Sequence, residues 1–183
     1  MFTQNSKLAK SGIYGFGLCP GQTCVKCSIK CYAVRGMYNT FSRTMTAMWD
    51  KNLERTKSRK FTTEVSTYLW KHSKIKYVRI HPEGDFYSQE YLNKWIRVAR
   101  LCPDVQFYAY TKALHLSFAE CPSNMKIVQS IGGEHDDKID YSKPHARIFG
   151  TLHELVSAGY ENCSDDDLLA ANPETIKIGL VEH

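Results

Sequence analysis

Apolar positions along this chain follow two different spacings. Compact runs rich in β-branched and aromatic residues occur at Ile13 to Leu18, Ile75 to Ile80, Val105 to Tyr110, Met125 to Ile131 and Ile176 to Val181, with a shorter one at Arg147 to Phe149. These read as strands. Between them, apolar residues recur every three or four positions, the spacing of one helical face. Residues 37 to 58 carry Phe41, Met45, Met48, Trp49, Leu53 and Thr56, and a second helix carries Phe61, Val65, Tyr68 and Leu69. A third, Gln89 to Leu101, presents Tyr91, Leu92, Trp95, Ile96 and Ala99, with Ser88 as its N-cap and Pro103 beyond its end. Shorter helices are expected over Ala113 to Glu120 and near Leu152 to Ala158, and residues 1 to 12 read as an irregular lead-in.

Strand and helix alternate, which predicts a parallel α/β sheet with right-handed crossovers and helices outside it. The pattern gives five to six mostly parallel strands in a single domain over residues 1 to 183. A partial (β/α) barrel and an open doubly wound sheet fit it equally well. In either, functional groups gather beyond the carboxyl ends of the strands. A cysteine-rich loop follows the first strand. His81, Glu83, Gly84 and Asp85 follow the second, Tyr110, Thr111 and Lys112 the third, and Gly132, Gly133, Glu134 and His135 the fourth. Four successive strands thus deliver polar groups to one rim. Glu83, Gly84, Asp85, Tyr110 and Lys112 are the candidate cofactor-binding residues. The plainer alternatives are a turn for Glu83 to Asp85, rim packing for Tyr110 and solvation for Lys112. His81 reads as a hydrogen-bonded core group, with metal ligation as the alternative. His115, His135, His145 and His153 show no ligand-like spacing.

The cysteine loop carries the most specific chemistry. Cys19, Cys24, Cys27 and Cys31, four of the seven cysteines, fall within thirteen residues as C-x4-C-x2-C-x3-C. Thiols set this closely in a short loop can converge on one soft metal centre. A four-cysteine zinc site usually divides into two separated knuckles, whereas one continuous loop is closer to the runs that hold an iron–sulfur cubane. A [4Fe–4S] cluster is the expectation, with zinc as the alternative. Four thiolates would saturate the cubane, and three would leave an iron open. The three remaining cysteines, Cys102, Cys121 and Cys163, are scattered and read as free thiols.

The stretch from Leu18 to Gly36, with its Cys-Pro-Gly opening and Cys-Tyr-Ala close, resembles the phage gene product 88 family. So do Arg79 to Phe86, Phe107 to Lys112 and Lys177 to Val181. The family looks like a compact relative of the radical S-adenosylmethionine proteins. The resemblance implies a partial barrel, a cluster on the N-terminal loop and a phage or prophage origin. It tips the fold expectation to the partial barrel. It also places Glu83-Gly84-Asp85 where such proteins carry a Gly-Gly-Glu-like turn for the amino group of S-adenosylmethionine. The spacing here departs from their C-x3-C-x2-C signature: Cys19 to Cys27 has one residue too many, and Cys24 to Cys31 has the gaps reversed.

Composition narrows the class further. With 43% hydrophobic residues and no run of ~20 apolar residues, the chain is expected to be globular and not membrane-spanning. No secretory signal pattern opens it, so a cytoplasmic location is expected, in the host if the protein is phage-encoded. Much of the net charge of +5 lies in residues 51 to 60, where Lys51, Arg55, Lys57, Arg59 and Lys60 face Glu54 alone. That segment is the candidate surface for a host protein or nucleic acid, against the alternative of a solvated helix end. Asp165, Asp166 and Asp167 are expected to be exposed in a turn or first helical turn. The function expected is an iron–sulfur protein on a radical-S-adenosylmethionine-like scaffold, with enzymatic activity open. The alternatives are a non-enzymatic iron–sulfur protein binding a host protein or nucleic acid, or a zinc-stabilised module.

Overall fold

The protein's computed structural model describes residues 1–27 and 42–182. Among these, seven strands form one all-parallel sheet that curls into a half-barrel. The strands are β1 (Ile13–Phe16), β2 (Tyr77–Ile80), β3 (Gln106–Thr111), β4 (Met125–Ser130), β5 (His145–Phe149), β6 (Glu161–Asn162) and β7 (Lys177–Val181). Their order across the sheet is β1-β2-β3-β4-β5-β7-β6. The partial barrel is therefore correct, but with seven strands rather than five or six. The extra one is β6, too short and polar to show a strand pattern. At the opposite edge Thr3 pairs antiparallel with Gly15 and covers the free side of β1.

The helices are α1 (Ser6–Lys10), α2 (Ser42–Lys57), α3 (Phe61–Lys71), α4 (Gln89–Leu101), α5 (Leu152–Ser157) and α6 (Asp167–Ala171). The expected long helix from 37 is described from Ser42 onward; its first residues lie outside the described residues. Ser88 caps α4 by accepting from the Tyr91 amide, as its position predicted. Helix α1 was not foreseen, and α6 was foreseen only as a turn or first helical turn at Asp165 to Asp167. Each begins at a polar cap, Asn5 and Asp166 respectively, whose side chain accepts an amide of the first turn. The expected helix over Ala113 to Glu120 does not form. Its amides find other acceptors: Ala113 N donates to Thr111 Oγ1, and Ser117 N to Gln89 Oε1. Turns then carry Leu116 and Phe118 onto the core.

The sheet has two unlike faces, because side chains alternate along each strand. One face packs Phe16, Val78, Ile80, Phe107 and Ala109 against α3 and α4. There Trp95 meets Phe16 and Phe61 edge-on, with ring centres 5.2 and 5.3 Å apart. The other face presents Ile13, Tyr108, Val128, Ala146 and Ile178 to Leu8 of α1 and to Ala170 and Ala171 of α6. The two short helices thus cover part of the sheet that the long ones leave open. Helix α2 is stapled to the end of β1 by Asn52, fully buried, whose Nδ2 donates to Gly17 O and Met1 O.

A charge cluster locks α6 to the sheet. Asp167, expected to be exposed, has no solvent exposure at all. Its Oδ2 accepts from Arg79 Nη1 at 2.7 Å and from Tyr108 Oη at 2.8 Å, and its Oδ1 pairs with Lys7 Nζ at 2.7 Å. Burial pushes the Asp167 pKa up, but the Arg79 and Lys7 charges more than offset it and leave the carboxyl below its usual range. Sequence pattern missed this because the adjacent Asp165 and Asp166 are exposed and only the third aspartate turns inward.

Asp167→Asn should destabilise the fold by about 3 kcal/mol, since it strands Arg79 and Lys7 on a largely buried face. Denaturant unfolding measures it. A depressed folded pKa stabilises above the unfolded value and loses that contribution as pH falls through the folded one. Wild-type stability should therefore drop below about pH 4, and Asp167→Asn should drop less steeply there.

Candidate functional site

The rim at the carboxyl ends of β1 to β4 is built from loops that hold one another. The turn after β2 returns to β1: His81 N donates to Phe16 O at 3.0 Å, and Leu18 N to Glu83 O at 2.9 Å. Gly84 makes this approach close. Its φ is +86°, and a Cβ there would stand 2.7 Å from Leu18 Cβ and 2.8 Å from Thr23 Oγ1. Any side chain at 84 would push the two loops apart. His81 adopts φ +59°, a left-handed conformation that costs a non-glycine residue strain. The ring is buried and its Nε2 lies 2.8 Å from Tyr91 Oη. Burial takes its pKa down to about 3, so the imidazole stays neutral. It is a hydrogen-bonded core group.

Asp85 is the hub. Its residue is 5% exposed, so its carboxylate depends on the chain for partners. Oδ1 accepts from Thr111 Oγ1 at 2.6 Å and from Phe86 N at 2.7 Å, and Oδ2 accepts from Lys112 N at 2.8 Å. The Asp85 amide donates to Thr23 Oγ1, which itself donates to Cys19 O. One buried residue thereby joins the cysteine loop, the β2 turn and the end of β3. Burial raises its pKa despite the three hydrogen bonds that favour the charged form.

The far end of the cysteine loop is fixed beyond β4. Cys27 bridges Gly133 in antiparallel register, Glu134 N donates to Lys26 O at 3.1 Å, and Lys26 N reaches Glu134 Oε1 at 3.4 Å. Residues 19 to 27 therefore cross the rim from β1 to β4. Gly132 and Gly133 amides close their own turn on the Asp136 carboxylate. Lys112 lies against Gly133 and donates from Nζ to Ser130 Oγ at 2.9 Å. Tyr110 lies under the Arg79 guanidinium at 4.9 Å. Glu83 is buried, with Oε2 over Gly17.

The predicted site residues Glu83, Gly84, Asp85, Tyr110 and Lys112 thus belong to one rim. Cys19, Cys24 and Cys27 lie on the loop that crosses it; Cys31 lies outside the described residues. The three thiols are half-buried. Burial and the Asp50 carboxylate both push the Cys19 thiol up. Among the described residues no three His, Cys, Asp or Glu side chains stand gathered to hold a metal ion. Cys102 and Cys163 are buried free thiols, and Cys121 a half-buried one.

The basic segment 51 to 60 lies on and after α2. Lys57 pairs with Glu54 at 2.6 Å, and Arg55 donates to Asn52. A shallow cleft there mixes Lys51 and Arg55 with Asp50, Glu54 and Glu64, so its charge is not of one sign. Among the described residues no helix is long and apolar enough to cross a membrane.

A protein-family model described as gene product 88 matches residues 2–172. The chain belongs to the gene product 88 family. Two relatives are phage proteins. The Gene 88 protein of Mycobacterium phage D29 is 36% identical over 73 aligned positions, covering 32% of this chain and 30% of that protein. The Gene 88 protein of Mycobacterium phage L5 is 57% identical over 37 positions, covering 20% and 16%. The matched stretches span less than a third of either relative. Phage relatives agree with the origin that the resemblance implied. No solved structure matches this chain.

Thr23 was missed in the sequence, and Thr111 was read only as one of the polar groups after the third strand. They hold the rim together, yet a threonine in a loop or at a strand end carries no periodic signal. Asp85→Ala should destabilise the protein by about 3 kcal/mol, because Thr111 Oγ1 and the Phe86 and Lys112 amides lose one shared buried acceptor. Native-state hydrogen exchange should show faster opening at Lys112 than at the α4 amides.

Proposed function

We propose that this gene product 88 protein is an iron–sulfur protein whose cysteine loop holds one [4Fe–4S] cluster over the carboxyl rim of the half-barrel. The observation that supports it most is the crossing of the rim by residues 19 to 27, anchored at Thr23 and Asp85 on one side and at Gly133 on the other. Cys19, Cys24 and Cys27 ride on that span, and Cys31 follows within four residues. An all-cysteine donor set suits a soft, thiolate-ligated centre. The described thiols are not gathered as a ligand set. Loading therefore requires the loop to draw them together and each thiol to lose its proton.

Four thiolates are the reading favoured here, with no iron left for S-adenosylmethionine. Asp85, the residue best placed to meet that cofactor's ammonium, already accepts three hydrogen bonds from its own chain. In this reading the cluster is an electron-transfer, sensing or structural centre.

Anaerobically purified protein should be brown and contain about four iron and four labile sulfide per chain. Cys24→Ala and Cys27→Ala should each lose the cluster, and Cys102→Ala should keep it. Colourless protein with stoichiometric zinc and no sulfide would replace the proposal with a zinc site. Adding S-adenosylmethionine to the reduced protein should leave its electron paramagnetic resonance spectrum unchanged. A shift on addition would show an open iron and favour an enzyme.

A further inference from the structure

The end of the sheet opposite the rim carries an exposed tryptophan beside a run of lysines. Helix α3 closes on Trp70 and Lys71, and the turn into β2 adds Lys74 and Lys76. All three lysines are exposed, and from Val65 to Pro82 the chain has no Asp or Glu. Among the described residues no ion pair takes up any of the three. The turn before β3 contributes one carboxylate, Asp104, so this end stays positive. Trp70 is 58% exposed, whereas Trp49 and Trp95 are buried. Its Nε1 donates to Leu101 O at 3.2 Å, one of the carbonyls that the end of α4 leaves without a helical partner. That bond fixes the indole across two helix ends with most of the residue in water. Leu101 and Tyr77 are exposed on the same end of the fold.

We propose that this end of the half-barrel binds single-stranded nucleic acid, with a base stacked on Trp70 and phosphates on Lys71, Lys74 and Lys76. An aromatic platform set among cations is the combination that holds a single strand. A lysine ammonium is a point charge that suits a phosphate oxygen, and releasing counterions from the strand drives the contact. Stacking and phosphate contact read neither the base edge nor the sugar, so DNA and RNA strands bind alike. A duplex keeps its base faces in its own stack and offers Trp70 none. An apolar protein partner would gain nothing from three lysines. A bilayer anchor would keep the indole N–H for the headgroups, and here that N–H is spent on Leu101. The basic segment 51 to 60 is the poorer match, because Glu54 takes up Lys57 and its cleft is of mixed sign. The surface lies away from the cysteine loop, and it stands or falls apart from the cluster.

The test is fluorescence anisotropy of end-labelled, mixed-sequence oligonucleotides titrated with the full chain at several salt concentrations. DNA and RNA strands of one sequence should bind with equal affinity, and more tightly than the matching duplex. Trp70→Ala should weaken binding by about tenfold without changing its salt dependence. Trp70→Phe, which keeps a ring, should recover most of that loss. Replacing Lys71, Lys74 and Lys76 together by Gln should lower the slope of log affinity against log salt by about 2. Circular dichroism matching the wild type verifies that each variant is folded. No binding at low salt, tighter binding to the duplex, or wild-type affinity in Trp70→Ala would overturn the proposal. So would equal losses in Lys51→Gln and Lys60→Gln, which would show diffuse charge rather than this surface. Binding to anionic phospholipid vesicles, lost in Trp70→Ala, with no binding to oligonucleotide would replace the strand with a membrane.

Discussion

A buried carboxylate held by uncharged hydrogen-bond donors sets the form of the rim. Asp85 is closed off from water and answered by a hydroxyl and two backbone amides, on Thr111, Phe86 and Lys112. These donors lie on the turn after β2 and at the end of β3, so satisfying one charge fixes the relation of both. Gly84, immediately before it, lets the turn approach Leu18 and Thr23. Thr23 passes the constraint to Cys19. The start of the cysteine loop is consequently tied to the sheet interior rather than left to solvent.

Asp167 makes an instructive contrast. It is equally buried, but Arg79 and Lys7 face it directly. Its carboxyl is held below the usual range, whereas Asp85 is pushed above it. The two carboxylates show the same desolvation met by different means: dipoles at the rim, full charges beneath it. The ionic cluster clamps α6 and α1 onto a sheet face that has no long helix of its own. The dipolar one ties the turn after β2 to the end of β3 through a hydroxyl and two backbone amides.

The candidate site was partly legible. Strand ends are where a parallel sheet presents its loops, so the positions of Glu83 to Asp85, Tyr110, Lys112 and Glu134 followed once the strands were recognised. What each group does there was not legible. Asp85 looked like a free carboxylate on a small turn, and the structure shows it accepting three internal hydrogen bonds. Thr23 carried no pattern, and what Thr111 holds was not legible, because their partners lie at sequence separations that no local spacing encodes.

The sequence by itself determined the parallel α/β class, the order of the main strands and helices, and the four-cysteine loop after β1. These depend on short-range periodicity and on residue chemistry, both written locally in the chain. Tertiary structure alone decided that β6 closes the far edge and that Asp167 turns inward beside two exposed aspartates. It also decided that residues 114 to 120 remain turns, and that the cysteine loop spans to Gly133 instead of ending over β2. In each case the deciding free energy comes from partners distant in sequence. A buried polar group must find its donors or acceptors wherever the fold happens to bring them.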